Sequence, residues 1–250
     1  MIDIATTDRV RTLTLNRPEK RNALDLETCR ALNEAFHQAD DDPAIGAVLL
    51  RGNGTAFCSG MDLSEVLAAD QDVLADVHER LFTTIYRARK PIIAAVQGSA
   101  LAAGVGLTAN AHFVIAAPDA RFGITEIRIG LWPFLIFRSV ARAVGERRAT
   151  ELSITGRTFS ADEAHQFGLV TEVHANYDTR AFELATRVAQ FSSVANAAGL
   201  DYVNRTHDLD FSDAGVIARE MRTGLMASAD FEEGVRAFLE KRAPVWPSFT

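Results

Sequence analysis

Three short stretches of this chain are apolar without alternation: Gly46-Ala-Val-Leu-Leu-Arg51, Pro91-Ile-Ile-Ala-Ala-Val96 and Phe113-Val-Ile-Ala116. Each is bounded by turn residues or polar loops and is too short for a buried helix, so each reads as a strand buried on both faces. Between them the period becomes helical, over residues 62–69, over 72–89 with Leu74, Val77, Leu81 and Ile85 on one face, and over 102–111. Buried strands alternating with helices constrain the chain to a predominantly parallel α/β arrangement. Residues 10–16 add an alternating strand that stops at Arg17-Pro18, where a loop or hairpin must begin. Asp25 then caps a helix whose Leu26, Cys29, Leu32 and Phe36 share one stripe, which makes Cys29 a core thiol. From residue 133 the pattern is mostly helical, with a capping box at Ser160-Ala-Asp-Glu163 and a brief strand over 169–173, and the chain ends in helices.

With 250 residues, 48% of them hydrophobic, the chain can bury a substantial core without staples. Its two cysteines, Cys29 and Cys58, are too few for a disulfide framework and fit a reducing compartment. No Cys/His cluster has zinc spacing. The opening MIDIATTDRV is polar and alternating, unlike a signal peptide or a membrane anchor, so a cytoplasmic protein with no membrane partner is expected. A net charge of −7 with no basic stripe argues against nucleic acid as a partner. The basic pairs Lys20-Arg21, Arg147-Arg148 and Lys241-Arg242 are scattered and read as solvated surface, although an anionic ligand can use one locally.

Two loops draw attention to chemistry. Gly52-Asn-Gly-Thr-Ala-Phe-Cys-Ser-Gly-Met61-Asp62 and Gly98-Ser-Ala-Leu-Ala-Ala-Gly104-Val-Gly106 each follow a buried strand, are rich in small residues and lead into a helix. Unpaired N–H groups at such a helix start suit an anion or a developing oxyanion, whereas the plainer reading is a tight structural turn. A dinucleotide fingerprint fails, because its third glycine falls on Phe57; a phosphate loop lacks its lysine, and a serine hydrolase lacks its Gly-x-Ser-x-Gly elbow.

Taken in order, Leu15-Asn-Arg-Pro-Glu-Lys-Arg-Asn-Ala-Leu24, Phe57-Cys-Ser-Gly-Met-Asp-Leu63, Lys90-Pro91 through Gly98-Ser-Ala-Leu101, Asp119-Ala-Arg-Phe-Gly123, Glu126-Ile-Arg-Ile-Gly-Leu131, Thr155-Gly-Arg157 and Glu233-Gly-Val-Arg-Ala-Phe-Leu-Glu-Lys-Arg242 resemble the enoyl-CoA hydratase/isomerase (crotonase) family from end to end. The resemblance implies a crotonase-like spiral of ββα units over residues 1–192 and a C-terminal helical trimerisation region over 193–250. It also implies a homo-oligomer, trimer or hexamer, acting on an acyl-CoA substrate. No cofactor is implied, since coenzyme A is part of the substrate.

The same resemblance assigns residues. The oxyanion amides fall on Met61 and on Ala103, which stands where many relatives have glycine. Losing one such donor costs ~10²–10³ in rate. Glu126 matches the family's catalytic glutamate; on its own it reads either as a surface acid or as a general base of raised pKa. The second glutamate of the hydratases falls on Gly106, and their water-holding glycine on Phe134, within Leu131-Trp-Pro-Phe-Leu-Ile-Phe137. Trp132 and Phe134 are thus expected to line the acyl pocket and exclude water. Arg21 and Ala23 match positions that hold coenzyme A, as do Phe238 and Lys241 on a helix lent by a neighbouring subunit; otherwise Phe238 is core and Lys241 surface. Ser64 stands where relatives often carry a lysine or another polar residue, and Asp62 reads as an N-cap. His112 replaces a common aspartate, which puts a structural hydrogen bond in question, and none of the six histidines looks catalytic. One glutamate moving a proton from carbon to carbon is the logic of a 3,2-enoyl-CoA isomerase. Hydration is the nearest alternative and a non-catalytic acyl-CoA-binding protein the second.

Overall fold

The computed structural model describes residues 1–249. Its main sheet has six strands in the order β1, β2, β3, β4, β6, β9. The strands are β1 (Ile2–Thr7), β2 (Val10–Leu15), β3 (Ala47–Gly52), β4 (Ile92–Val96), β6 (Phe113–Ala116) and β9 (Glu172–Val173). Only β1, whose residues look in the sequence like a polar opening, runs antiparallel; the others are parallel neighbours. A second sheet joins β5 (Ser99–Leu101), β7 (Arg121–Gly123) and β8 (Thr158–Ser160). The helices are α1 (Leu26–Asp41), α2 (Leu63–Val66), α3 (Gln71–Tyr86), α4 (Ala103–Asn110), α5 (Phe134–Val144), α6 (Glu146–Thr155), α7 (Ala161–Phe167), α8 (Tyr177–Ala189), α9 (Ser193–Thr206), α10 (Phe211–Met226) and α11 (Ala229–Glu240).

The apolar strands lack alternation because both faces of the sheet are covered. Ile92, Ala94 and Val96 of β4 face the main core with Leu13, Leu50 and Val114, while Ile93 and Ala95 face Ala181, Ala185 and Ala189 of α8. Those three alanines recur every fourth residue, and their small side chains let α8 lie close on the sheet.

The chain winds as a spiral whose turns repeat one plan. A strand of the main sheet is followed by a short extended segment in a second layer and then by a helix. Thus β3 leads to Cys58–Met61 and α2–α3, β4 to β5 and α4, and β6 to β7 and α5. The first turn follows suit, β2 leading through Leu24 into α1, with Asp25 capping α1 by accepting from Thr28 N. The capping box at Ser160 and Glu163 forms as its spacing predicts. Downstream of Ser192 the described residues are helical apart from short turns and an irregular stretch before a final 3-10 turn at Pro247–Phe249. No helix among the described residues is long and apolar enough to cross a membrane. Cys29 and Cys58 are buried and unbridged, and burial pushes both thiols up in pKa, Cys58 to about 12. They are packing groups, not nucleophiles.

Candidate active site

The site forms where the second layer meets the start of α4. Cys58 pairs in parallel with Ala100, through Cys58 N to Ser99 O (3.1 Å) and Leu101 N to Cys58 O (2.9 Å). The pairing ends at Leu101, where Ala102 turns the chain into α4, and a Cβ on Gly60, the residue before Met61, would lie 3.7 Å from Ala103 N, so the Met61 segment reaches the start of that helix. On its other side the Met61 segment bonds Leu24, with Leu24 N donating to Gly60 O (2.8 Å) and Asp62 N to Leu24 O (2.9 Å). In such a ladder the residue between the bonded pair turns its own N–H the opposite way, so the Met61 N–H faces away from Leu24. Neither amide finds an acceptor among the described residues.

The two N–H groups are free for different reasons. Ala103 is the first residue of α4, where intrahelical acceptors do not reach and the helix dipole adds positive potential. Met61 is not at a helix start, contrary to the expectation from its loop, because Asp62 is the N-cap of α2 and Met61 lies before it. Its amide is free because of the pairing with Leu24. The approach of the two segments requires Gly60, which has φ 102°, and a Cβ there would lie 2.9 Å from Ala102 Cβ. Ala102 itself holds φ 50°, ψ −117°, a conformation costly for a residue with a Cβ.

Arg17 ties this corner together. It bridges Asp25 (3.1 Å) and Asp62 (2.9 Å) and donates to Ala23 O (2.6 Å), fixing the first turn of the spiral to the loop that carries Met61. Asp62 is buried, its carboxyl held below the usual range by hydrogen bonds from Ser64 and Arg17. It is thereby committed to capping and bridging. Ser64 is exposed and its hydroxyl donates to Asp62 Oδ1 (2.5 Å). The structure gives it this structural contact and no place in the cavity wall.

Met61 and Ala103 open onto a cavity of about 140 Å³ that Glu126, Trp132 and Phe134 also line. Glu126 starts a 3-10 turn, Glu126–Ile129, closed by Gly130 in the left-handed region. Its side chain is 7% exposed, and Oε2 has no hydrogen-bond partner among the described residues. Burial raises its pKa, opposed by a hydrogen bond to its own backbone. The surface reading of this residue is thus excluded. An unpartnered, desolvated carboxylate is a stronger base than an exposed one. Trp132 is partly buried, whereas Phe134 is 76% exposed in the single chain: it rims the cavity instead of filling its interior.

The position of the absent second carboxylate is occupied by hydrocarbon. A Cβ on Gly106 would meet Ile136 Cγ2 at 2.3 Å and Phe82 Cε1 at 2.8 Å. Both side chains line the cavity, and so does His78 of α3, which from the sequence does not stand out from the other histidines. The signal was present: His78 lies four residues after Leu74 and four before Phe82, inside the buried stripe of its helix. His112, by contrast, answers the doubt about its aspartate. Its Nδ1 accepts from Ile92 N (2.9 Å), so an imidazole supplies the acceptor.

The remaining predicted residues lie outside this wall. Ala23 is buried and Arg21 exposed beside the first loop, its carbonyl accepting from Ser59 N (3.1 Å). Phe238, 83% exposed, lines a separate apolar cavity between the C-terminal helices, and Lys241 ends α11 in the left-handed conformation. Within one chain neither joins the cavity of Glu126. Among the described residues no cluster of three or more His, Cys, Asp or Glu is placed to hold a metal ion.

The sequence profile described as enoyl-CoA hydratase/isomerase matches residues 5–248. The chain is 37% identical over 242 residues to a probable enoyl-CoA hydratase of Mycobacterium bovis, covering 94% of this chain and 93% of that one. It is 34% identical over 247 residues to the 2,3-dehydroadipyl-CoA hydratase of Escherichia coli, covering 96% of each. The crystal structure of an enoyl-CoA hydratase of Mycobacterium smegmatis superposes with a TM-score of 0.92 at 34% identity, over 98% of both chains.

Proposed function

This chain belongs to the enoyl-CoA hydratase/isomerase family, has the crotonase fold and is an acyl-CoA enzyme, and from that premise we propose that it moves an enoyl-CoA double bond from C3–C4 to C2–C3. The thioester oxygen accepts from the Met61 and Ala103 amides. The Glu126 carboxylate takes a proton from C2, breaking that C–H bond; the electron pair delocalises onto the thioester oxygen, where the two N–H groups stabilise it. Glu126 then returns the same proton to C4 as C2–C3 becomes the double bond. No proton or electron is gained or lost overall.

The observation that carries this reading is the filling of the Gly106 position by Ile136 and Phe82. With that space apolar, Glu126 is the one carboxylate on the cavity wall, and one carboxylate suffices to shuttle a proton but not to divide the work of hydration. Hydration is the second reading, favoured by the names of the relatives. Arg21 and Ala23 are proposed to hold coenzyme A together with Phe238 and Lys241 of a neighbouring copy, in a homotrimer built on the helices beyond residue 192.

Conjugated-thioester absorbance separates the readings. Isomerisation raises it from 3-enoyl-CoA, whereas hydration lowers it from 2-enoyl-CoA. Glu126→Gln is expected to lose ~10² or more in kcat/KM with 3-enoyl-CoA, and turnover equal to the parent in that variant defeats the mechanism.

A further inference from the structure

His78 is a polar group in the acyl cavity with nothing to bond. It is 2% exposed, and its Nε2 has no hydrogen-bond partner among the described residues. A buried nitrogen left unpaired costs stability, so its retention in an apolar wall calls for a partner that arrives with the ligand. Burial holds the ring below its usual pKa against the opposing pull of Glu65, so near neutral pH it is uncharged, with one N–H and one lone pair to offer.

Its place in the cavity narrows what that partner is. Met61, Ala103 and Glu126 define the reacting end. Phe82, Leu135 and Ile136 line the same cavity, and among these neighbours His78 supplies the titratable side chain. Phe82, one helical turn after His78, also packs against the Gly106 position, so the imidazole stands beside the region from which the second carboxylate is missing. An uncharged ring in a cavity that already holds a carboxylate suits a neutral oxygen better than an anion.

We propose that His78 Nε2 hydrogen-bonds a hydroxyl or carbonyl oxygen on the acyl chain beyond the reacting carbons, so that the preferred substrates are oxygenated acyl-CoA thioesters rather than plain alkenoyl chains. The inference rests on the acyl-CoA reading of this cavity. A site built to bond a substrate oxygen discriminates against the analogue lacking it, because binding that analogue leaves the buried nitrogen unpaired.

The test is calorimetric titration of the full chain with saturated acyl-CoA pairs of four to eight carbons, each plain and bearing a terminal hydroxyl. At one or two lengths the hydroxyl is expected to tighten binding about tenfold. His78→Phe is expected to abolish that gain while holding the plain chains within about threefold, and His78→Gln, which sets an amide near the Nε2 position, to keep part of it. The parent pair and His78→Gln carry the test if His78→Phe does not fold. A hydroxyl that brings no gain at any length overturns the inference, as does a His78→Phe variant that weakens both members of every pair equally. Loss of kcat on every 3-enoyl-CoA at unchanged affinity also overturns it, since His78 would then be moving a proton. Failure of every pair to bind removes the acyl-CoA reading along with this one. Saturated chains do not isomerise, so their binding tests the cavity alone; saturated pairs that bind as expected while 3-enoyl-CoA is not isomerised would sink the proposed reaction and leave this inference standing.

Discussion

Glu126 shows how little of a carboxylate's chemistry its identity decides. The side chain is aimed into hydrocarbon, its Oε2 without a partner, and burial raises its pKa. The base must be ionised to accept the C2 proton, so kcat/KM is expected to fall as pH is lowered through a value above the ordinary glutamate range. An acid limb lying within the ordinary carboxylate range would show that the cavity does not desolvate this group. The sign for stability is opposite to that of a salt-bridged acid. A raised folded-state pKa means that the fold favours the protonated form, and stability declines as pH rises through it. Glu126→Gln is therefore expected to melt no lower than the parent at neutral pH. His78 illustrates the same point from the other side. Its residue type is neutral as to function, and only its burial against an apolar cavity without a partner turns it into a recognition group.

At the scale of elements, the site depends on two short extended segments lying side by side. Gly60 permits that approach, and Gly60→Ala places a methyl 2.9 Å from Ala102 Cβ at a backbone φ of 102°. That change is expected to cost about 1–3 kcal/mol of stability, seen as a lowered denaturant midpoint. It is also expected to lower kcat by ~10² or more in the protein that still folds, because parting the segments removes an oxyanion donor. The β4–β6 pair carries a separate, pH-dependent element. His112 Nδ1 accepts from Ile92 N, and burial, helped by the Arg142 charge, lowers the imidazole pKa to about 4. The depressed value means that the neutral ring favours the fold above pH 6.5 and that this contribution is lost as pH falls toward 4. The ring is only partly buried, so the loss is expected to be roughly 1–3 kcal/mol, measured by chemical denaturation across that window. His112→Asn, which keeps an acceptor, is expected to flatten the dependence.

At the scale of the whole molecule, the C-terminal helices expose more hydrocarbon than a lone chain has reason to keep. Phe211 is 97% exposed, Phe238 83% and Leu239 73%. Exposed hydrocarbon of this kind is what the proposed contact between copies would cover. Analytical ultracentrifugation is expected to find a species of three or more copies, and Phe238→Asp to shift it toward smaller species and to weaken acyl-CoA binding. A parent protein that sediments as a monomer with full activity would remove both the trimer and the lent helix from the proposal.

What the amino-acid sequence determines by itself follows from local periodicity and local chemistry. The unalternating runs of β3, β4 and β6, the stripes of α1 and α3, the Asp25 cap and the capping box of α7 are legible because each depends on residues within a few positions of one another. The resemblance to a known family adds Met61, Ala103 and Glu126 as candidates and the gap at Gly106. The short strands β5, β7 and β8, three residues each, escape notice because no period can be read over so few positions. Why Met61 has a free amide, why no carboxylate fits at Gly106, and why His78 faces a ligand cavity are decided by Leu24, by Phe82 with Ile136, and by the wall opposite α3. Those partners are brought together only by the winding of the spiral, and contacts between residues distant along the chain leave no periodic trace in it.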